Sequence, residues 1–447
     1  MSATIVWFRQ DLRLADHPAL HAAVARGKPV IPVFLWCPHE EGEWTPGAAS
    51  RWWLHQSLLS LDKDLGKAGS ALLLRRGDDS LAALKKLLRE TGADAVYWGR
   101  RYEPLVIDRD RRIKESLRET GVEVRSFNSA LLVEPWDVQN LSGKPFQVFT
   151  PFWRKVMSGL EPPAPLPAPK KIPAPKEWPK GVTLDALRLM PDIPWFEGMA
   201  KTWRPGERGA ALHLETFLEE PVKHYGDTRN LPAERGTSRL SPHLHFGELS
   251  PRQVWHAAPK WRTSQFMTEI GWREFAHHLL FHFPRTTNEP LRADFAKFPW
   301  RENERELKAW QQGRTGIPLV DAGMRELWES GWMHNRVRMV VASFLVKNLR
   351  MHWLHGARWF WDTLVDADLA SNTLGWQWAA GCGADAAPYF RVFNPESQAE
   401  KFDPQSEYIK RWIPELSGKT ASAYPSPIVD LKASREAALA AFKTLRR

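Results

Sequence analysis

The sequence predicts an α/β N-terminal domain with a Rossmann-like parallel sheet, followed by an all-α C-terminal domain. Three observations lead to this fold class. The first 130 residues alternate short β-rich apolar runs with helical stretches, eight prolines fall within residues 162–179, and long segments with a 3.6-residue apolar period begin near residue 205. At 447 residues the chain is too long for one ordinary core. We therefore predict domains at 1–130 and 205–447, joined by an interdomain linker at 131–204.

Five apolar runs predict the strands of the N-terminal sheet. Strands that alternate with helical segments are typical of βαβ units, which form a parallel sheet covered on both faces. No GxGxxG motif follows the first run, so the usual Rossmann dinucleotide site is not predicted. A ligand can still bind at the carboxyl ends of the strands, where residues 36–53 are a candidate wall. The runs are TIVWF at 4–8, VIPVFLW at 30–36, ALLLR at 71–75, AVYW at 95–98 and VEVRSF at 122–127.

The remaining regions are a proline-rich linker and a helical half. PPAPLPAPKKIPAPKEWP, residues 162–179, can form neither a helix nor a central strand and predicts an extended surface linker. Beyond it, SQFMTEIGWREFAHHLLFHF at 264–283 and MHNRVRMVVASFLVKNL at 333–349 have the apolar period of helices. We expect these helices to belong to one domain of roughly 200 residues.

The composition excludes several classes of protein. No apolar run approaches the ~18 residues of a membrane span. Arg9, Asp11 and Arg13 fall where a signal peptide needs an apolar segment, so we predict a cytoplasmic protein with no membrane partner. Cys37 and Cys382 lie far apart and fit no metal-ligand spacing, so neither a metal nor a disulfide is predicted.

The charge and the aromatic content point to a polyanionic partner. The formal net charge is +10, and clustered Lys and Arg bind phosphate backbones by releasing counterions. The chain has 24 Trp but only six Tyr, which indicates a use for indoles beyond generic packing. A helical DNA-binding protein without a cofactor is one interpretation of these two features.

A hydroxyl-rich segment is a candidate anion site. RGTSRLSPHLHFGELSP, residues 235–251, places Thr237, Ser238 and Ser241 just before a predicted helix. Hydroxyls and the N–H groups of a helix N-terminus suit a diphosphate. An ordinary helix cap with Ser or Thr at the N-cap position explains the same residues.

Two helical segments carry polar side chains on apolar faces. Glu269, Trp272 and Arg273 share one face at spacings of three and four, which also suits a simple Glu269–Arg273 surface pair. Arg338 lies in the second apolar segment, where a buried unpaired charge is costly. Asp366 and Asp368 are candidate partners for it, and the sequence leaves the choice between them open.

Longer motifs resemble the photolyase/cryptochrome family. The likeness to the flavin-binding helical domain of that family rests on TSRLSPHLHFGELSP, WREFAHHLLFHFP, GIPLVDAGMRELWESGWMHNRVRMVVASFLVKN and LASNTLGWQWAAGCGADAAPYFRVFNPESQAEKFD. The N-terminal IVWFRQDLRLADHPAL resembles the antenna domain of the family. The resemblance runs essentially from end to end. It implies an α/β antenna domain and an all-α FAD-binding domain.

The resemblance implies that the helical domain holds FAD, active as FADH−, in a cavity open to DNA. The positions that match the flavin contacts of the family are Tyr225, Thr237, Ser238, Arg239, Leu240, Ser241, Arg273, Asn335, Arg338, Asp366, Asp368 and Asn372. It also implies a file of three tryptophans that carries electrons from the surface to the flavin. Trp376, Trp353 and Trp300 stand at those positions.

The resemblance further implies repair of cyclobutane pyrimidine dimers in UV-damaged DNA, by a carbon–carbon lyase reaction. Residues that match the lesion pocket are Glu269, Trp272, Arg336, Met339 and Trp378, with Arg229 and Gln398 as candidate phosphate contacts at its rim. Trp272 and Trp378 would form flat walls, because stacking on an aromatic ring is worth ~1–3 kcal/mol per base. Glu269 would hydrogen-bond the pyrimidine edge.

The alternative within the family is a blue-light photoreceptor without repair activity. By the resemblance, Asn372 is at the position facing flavin N5, where repair enzymes commonly have Asn and plant cryptochromes have Asp. Only 31 residues follow Leu416, so we expect no long signalling tail. Both features favour repair, by a protein that we expect to be a monomer.

The antenna region resembles plant cryptochromes and the class III bacterial photolyases closest to them more than class I. The likeness rests on VFLWCPHEEGEWTPGAASRWWLHQSL. It implies a methenyltetrahydrofolate antenna, with Trp36, Glu40 and Glu103 as candidate contacts. A deazaflavin and an empty antenna site stay open at this point.

Overall fold

The computed structural model describes residues 2–261, 264–386, 390–417 and 424–445, and its N-terminal part contains a five-stranded parallel sheet. The strand order is β3-β2-β1-β4-β5, and every residue of β1, β2 and β4 is buried, as expected for a sheet covered on both faces. The predicted fold class is confirmed, although β3 begins at Leu73 rather than at residue 71. The strands are β1 (Thr4–Phe8), β2 (Val30–Trp36), β3 (Leu73–Arg76), β4 (Ala95–Gly99) and β5 (Glu123–Phe127).

Helices cover both faces of the sheet and build most of the remaining chain. In the first half they are α1 (Pro18–Ala25), α2 (Ala48–Lys67), α3 (Ser80–Thr91), α4 (Pro104–Arg118), α5 (Phe149–Met157), α6 (Glu197–Thr202) and α7 (Glu207–Glu219). The rest are α8 (Tyr225–Thr228), α9 (Ser241–His245), α10 (Pro251–Ala257), α11 (Gln265–His282), α12 (Glu304–Gln311), α13 (Pro318–Ser330), α14 (Asn335–Ser343), α15 (Trp353–Thr363), α16 (Leu369–Ala380), α17 (Pro395–Phe402), α18 (Glu407–Trp412) and α19 (Leu431–Thr444).

The segment 131–204 lies against both domains. Its proline-rich part has no regular secondary structure. This part is attached to the N-terminal domain by two backbone hydrogen bonds, from the amide of Ile172 to the carbonyl of Ala68 and from the amide of Val30 to the carbonyl of Pro173. The segment also contains α5 and α6, which the sequence did not predict. α5 packs against α11 through the rings of Phe152 and Phe275, whose centroids are 5.1 Å apart.

Buried polar contacts join the two domains. The Arg13 side chain is fully buried and donates to the carbonyl oxygens of Gly247, Asp16 and Ser129. Gly247 has φ of +63°, and a Cβ atom at this position would lie 2.1 Å from the carbonyl oxygen of Gln10. A glycine is therefore required for this close approach of the domains. The resulting contact surface fixes the position of α9 and α10 relative to the sheet.

A buried carboxylate ties the start of segment 131–204 to α11. Glu274 accepts hydrogen bonds from the backbone amides of Leu132 and Val133, and burial raises the pKa of this carboxyl to about 7. A carboxyl pKa that is higher in the folded than in the unfolded protein makes the free energy of unfolding fall as pH rises toward the folded pKa.

We expect Glu274→Gln to remove this pH dependence. Between pH 5 and pH 8, the wild type should lose about 2 kcal/mol of stability relative to the variant, because only the wild type must then bury an ionised group. Urea unfolding of both proteins at the two pH values measures the difference. Parallel stability curves would show that Glu274 does not titrate in this range.

The helical domain surrounds a core rich in tryptophan. Trp310, Trp353 and Trp376 are buried in it together with Phe360 of α15. The helix predicted over 333–349 begins at Asn335, where the side chain of His334 accepts from the amide of Arg336, and its last turn, Phe344–Asn348, is π-helical. No helix in the described ranges is long and apolar enough to cross a membrane.

Candidate functional site

A large cavity opens in the helical domain between α8, α9, α11, α14 and α16. Its volume of about 630 Å³ falls in the range of small-molecule sites. The wall brings together Tyr225, Arg229, Ser238, Leu240, Ser241, Glu269, Trp272, Arg273, Asn335, Arg338, Met339, Asp366, Asp368, Asn372, Trp376 and Trp378. Residues from separate sequence segments therefore share one space, as the sequence motifs predict.

Helix α16 supplies the central part of the wall. Asp368 caps its N-terminus by accepting a hydrogen bond of 2.8 Å from the amide of Ser371. Asn372 and Trp376 are one turn apart on the same face. α15 and α16 approach closely at Gly356, where a Cβ atom would lie 2.0 Å from the Trp376 ring. The missing side chain of Gly356 thus makes room for this indole.

The orientation of the Asn372 amide is set by its surroundings. The residue is 9% exposed, and its Nδ2 group donates to the carbonyl oxygen of Ala357 at 3.0 Å. A carbonyl oxygen accepts only, so the amide nitrogen must face it. The Oδ1 atom is therefore the group that Asn372 offers to a ligand. An aspartate here would place a carboxyl group against the same carbonyl oxygen.

Arg338 and Asp366 form an ion pair in the cavity wall. Arg338 Nη2 donates to Asp366 Oδ2 at 2.8 Å, and the hydroxyl of Ser241 donates to the same oxygen at 2.6 Å. This contact decides the open choice of partner for Arg338 in favour of Asp366. Asp366 Oδ1 is buried and has no hydrogen-bond partner among the residues that the structure describes. A buried carboxylate oxygen without a partner is costly, so this atom indicates a ligand that donates a hydrogen bond.

Two imidazoles surround Asp368. His277 Nε2 and His245 Nδ1 lie 3.5 Å and 3.7 Å from Asp368 Oδ2. Burial alone would raise the pKa of this carboxyl, but the neighbouring His277 and His245 side chains and the Arg273 guanidinium hold it well below its usual range. Asp368 is thus an ionised group at the N-terminus of α16.

Aromatic faces line the outer part of the cavity. The Trp272 ring stacks on Phe149 of α5, with centroids 3.8 Å apart and planes 8° from parallel. Trp378 is half-buried, and the guanidinium of Arg391 lies 5.9 Å from its ring. Both indoles border the space and carry a supporting group, so the opening has two fixed aromatic walls.

Glu269 forms its ion pair with Arg229, and its hydrogen bond along α11 is with Gln265 and not with Arg273. It accepts hydrogen bonds from Arg229 Nη1 and from Gln265 Nε2. The interpretation of Glu269 and Arg273 as a surface pair is therefore wrong. Arg273 donates instead to the carbonyl oxygens of Ala130 and Leu244. Glu269 and Arg229 thus form an ion pair at the edge of the cavity.

A file of aromatic rings leads from the cavity toward the surface. Trp376 is 2% exposed, and Trp353 lies one turn before Gly356, the residue on which Trp376 packs. His352 continues the file, with its centroid 5.6 Å from Trp353 and 5.1 Å from the half-buried Trp300. Burial lowers the pKa of His352, so this ring is neutral at neutral pH. The ring contacts thus join Trp353 to Trp300 through His352, and the step from Trp376 to Trp353 stays a prediction.

Comparison with known proteins shows the family to which the chain is related. Residues 4–170 match a model described as DNA photolyase, and residues 266–423 match the FAD binding domain of DNA photolyase. A deoxyribodipyrimidine photo-lyase from Agrobacterium fabrum is 47% identical over 99% of this chain and 98% of its own length. The chain belongs to the photolyase/cryptochrome family.

Two further relatives mark its position in the family. The crystal structure of a bacterial class III photolyase from Agrobacterium tumefaciens superposes with a TM-score of 0.95 and 47% identity, covering 100% of this chain and 98% of that one. Cryptochrome-1 of Arabidopsis thaliana is 43% identical over 93% of this chain and 63% of its own length. Similarity thus extends to both functional branches of the photolyase/cryptochrome family.

Four residues assigned by the family resemblance do not form part of the cavity wall. Thr237 and Arg239 flank the wall residue Ser238 in the chain, and the Arg239 guanidinium lies 4.7 Å from the centroid of the Trp332 ring. Arg336 donates to Asn230 Oδ1 at 2.9 Å, outside the cavity. Gln398 lies on α17, where its Oε1 atom is buried and has no hydrogen-bond partner within the described ranges. Contacts of these four with a ligand stay predictions.

Several wall and file residues were not predicted from the sequence. Phe149 stacks on Trp272 from a different helix, and His352 lies between two tryptophans. Neither has a local signal, because an isolated aromatic residue in sequence is most often a packing residue. Arg391 also lines the cavity mouth, and a single arginine in an irregular segment gives no sequence signal for such a position.

The three candidate antenna contacts lie near a second, smaller cavity of about 60 Å³ at the sheet edge. Trp36 lines this cavity. Glu40 accepts instead from the amide of Ser80, and Glu103 is held in an ion pair with Arg101. The space is far below the ~300 Å³ at which small-molecule sites begin. A folate here would therefore require side chains to move.

Proposed function

We propose that the chain is a light-driven deoxyribodipyrimidine photolyase that repairs cyclobutane pyrimidine dimers in DNA. One observation carries the proposal: a single cavity is bordered by Trp376, the inner member of the predicted tryptophan file, and by the two aromatic walls at Trp272 and Trp378. This arrangement supports an electron-transfer route that ends where two stacked bases can bind.

The residues of the inner wall fit FAD. The unpartnered Oδ1 of Asp366 and the free Oδ1 of Asn372 would accept hydrogen bonds from it, while Ser238 and Arg338 present donors. When bound in its reduced form, FAD would supply on light excitation the electron that opens the cyclobutane ring, and the same electron would return to FAD afterwards. The task of the protein is to bind, orient and shield.

The residues of the outer wall fit an extruded dimer. Trp272 and Trp378 provide faces for the bases, and stacking of this kind contributes about 1–3 kcal/mol per base. Glu269 can accept from a pyrimidine N–H, since Arg229 holds its carboxylate in place. The net charge of +10 favours association with the phosphate backbone.

A blue-light photoreceptor is the second candidate, favoured by the 43% identity to Arabidopsis cryptochrome-1. The amide of Asn372 supports repair instead, because it carries no titratable proton toward the ligand. We further propose a monomeric protein of class III type, with a methenyltetrahydrofolate antenna.

Illumination of the reduced protein with dimer-bearing DNA distinguishes the two candidates. We expect the number of dimers to fall in light and to stay constant in darkness. Equal numbers in both samples, with FAD bound, would contradict repair and favour the photoreceptor.

The antenna proposal predicts a second chromophore. Denaturing the purified protein should release a folate in addition to FAD, which mass spectrometry of the supernatant detects. Release of a deazaflavin, or of FAD alone, would contradict the folate assignment.

The ion pair in the inner wall gives a prediction for FAD affinity. Asp366→Asn removes the charge that orients Arg338 and Ser241, and we expect FAD to bind about tenfold more weakly, the usual cost of a lost charge-assisted hydrogen bond. Equilibrium dialysis of FAD measures the change. Asp78→Asn, at an exposed position between β3 and α3, is the control and should bind FAD as the wild type does.

A further inference from the structure

The segment Phe390–Asn394 forms one rim of the cavity. Arg391 lines the opening, and its guanidinium lies 5.9 Å from the ring of Trp378. The Phe393 ring approaches the same indole, at 6.1 Å between centroids. The position of this rim thus decides where Arg391 and Trp378 face the opening.

A buried lysine contacts the rim from behind. Lys347 belongs to the π-helical turn after α14 and is 1% exposed. Its Nζ atom donates to the carbonyl oxygen of Arg391 at 2.9 Å and lies 3.6 Å from the centroid of the Phe390 ring. One turn earlier, Ser343 Oγ accepts from the amide of Phe393 at 3.1 Å.

In the described part of the chain, the Lys347 ammonium contacts the rim and does not pair with a carboxylate. No carboxylate lies within ion-pair distance of Nζ among the residues that the structure describes. A buried cation is costly unless polar groups surround it. Here the carbonyl dipole of Arg391 and the face of the Phe390 ring provide that environment. A cation–π contact is stronger when it is shielded from water, as this one is. The charge is therefore directed at Phe390 and Arg391.

The other face of Phe390 is held by the C-terminal helix. Its ring stacks on Phe442 of α19, with centroids 4.3 Å apart and planes 7° from parallel. α19 is tied to the same π-helical turn, because Asn348 Nδ2 donates to Ser434 Oγ at 2.9 Å. Phe390 thus lies between an ammonium group and an aromatic ring that are both anchored in the helical domain.

We propose that Lys347 is a positioning residue for damaged DNA, which clamps Phe390 and Arg391 so that Arg391 and Trp378 face the lesion. This inference rests on the proposed function. Lys347 touches neither the cavity nor a ligand and acts through the rim. It should therefore affect recognition of the lesion and not the chemistry that follows.

The test compares Lys347→Met with Lys63→Met, which removes the same charge from an exposed position on α2. Affinity for dimer-bearing and for undamaged duplex DNA is measured by anisotropy in the dark. Lys347→Met should bind the dimer-bearing duplex about tenfold more weakly, with unchanged affinity for undamaged DNA. At saturating DNA, its repair rate per bound lesion should equal that of the wild type. Lys63→Met should match the wild type in all measurements.

A pH profile separates positioning from packing. Burial lowers the pKa of Lys347 to about 7, so the ammonium is present below that pH and is lost above it. Cys382 is the titratable group coupled to Lys347, and because burial raises the pKa of its thiol to about 12, it stays uncharged from pH 6 to pH 9. The preference of the wild type for the dimer should decline from pH 6 to pH 9, whereas Lys347→Met should have a flatter profile.

The outcomes test the proposed function and the role of Lys347 separately. A wild type with no preference for dimer-bearing DNA would overturn the proposed function. A wild type that prefers the dimer, with Lys347→Met equally selective, would overturn the role of Lys347. If Lys347→Met fails to retain FAD, Ser343→Ala replaces it, since it removes one rim hydrogen bond from the same helix. That variant should lose part of the preference, and unchanged selectivity would overturn the inference.

Discussion

Replacing Trp376 with phenylalanine is expected to slow photoreduction of oxidised FAD by about a hundredfold, while repair by the already reduced protein stays close to wild type. Trp376 borders the cavity, and the proposed file runs from it to Trp353, which His352 connects to Trp300. Phenylalanine keeps the packing on Gly356 but is much harder to oxidise than an indole. The electron would then have to reach the cavity from Trp353 without its nearest donor.

The measurement is the rate of FAD reduction under constant blue light with an external reductant. Trp310→Phe is the matched control, since Trp310 is fully buried 6.1 Å from the Trp376 ring but does not line the cavity. We expect the control to retain most of the wild-type rate. If Trp376→Phe also retains most of the wild-type rate, electrons do not reach FAD through the proposed file. Loss of repair by the reduced variant would show that Trp376 acts beyond electron supply.

Replacing Trp378 with alanine is expected to weaken binding of dimer-bearing DNA by about 10- to 100-fold, the loss of one aromatic stacking partner. The indole forms an outer wall of the cavity and carries Arg391 beside its ring. Affinity for undamaged DNA should change little, because phosphate contacts dominate that binding. FAD content should also stay unchanged, since Trp378 is half-buried at the outer edge.

Binding of a duplex with one central dimer, measured in the dark, gives the ratio of affinities directly. Trp328→Ala is the control, because Trp328 is a 45% exposed indole on α13, away from the cavity wall. A similar loss in both variants would mean that exposed tryptophans contribute to binding in general. Undiminished lesion affinity of Trp378→Ala would remove it from the pocket.

The fold class could be predicted from local patterns. β1 and β2 occupy the residues of the apolar runs TIVWF and VIPVFLW, because buried parallel strands need continuous apolar sequence. The contents of segment 131–204 could not be predicted. α5 precedes the proline-rich segment and is stabilised by packing on α11, and a tertiary contact of this kind leaves no signal in a window of nine residues.

The candidate site, like the fold, could be predicted only in part from the sequence. The need of Arg338 for an acidic partner follows from the cost of burying a charge, but only the fold selects Asp366 over Asp368. Glu269 pairs with Arg229, a residue 40 positions away, and not with its helical neighbour Arg273. The Trp376–Gly356 contact and the Lys347 clamp likewise join separate segments. Their sequence signals are single residues whose partners depend on how helices pack.

The central claim is that this protein uses light to repair dimers without a net change in the redox state of its cofactor. The direct test is to illuminate anaerobic, reduced protein with a tenfold excess of dimer-bearing oligonucleotide, and to follow lesions by chromatography and FAD by absorbance in the same sample. The account predicts several dimers repaired per protein while the absorbance stays that of reduced FAD. Stoichiometric oxidation of FAD, or no loss of dimers relative to the dark sample, would contradict it.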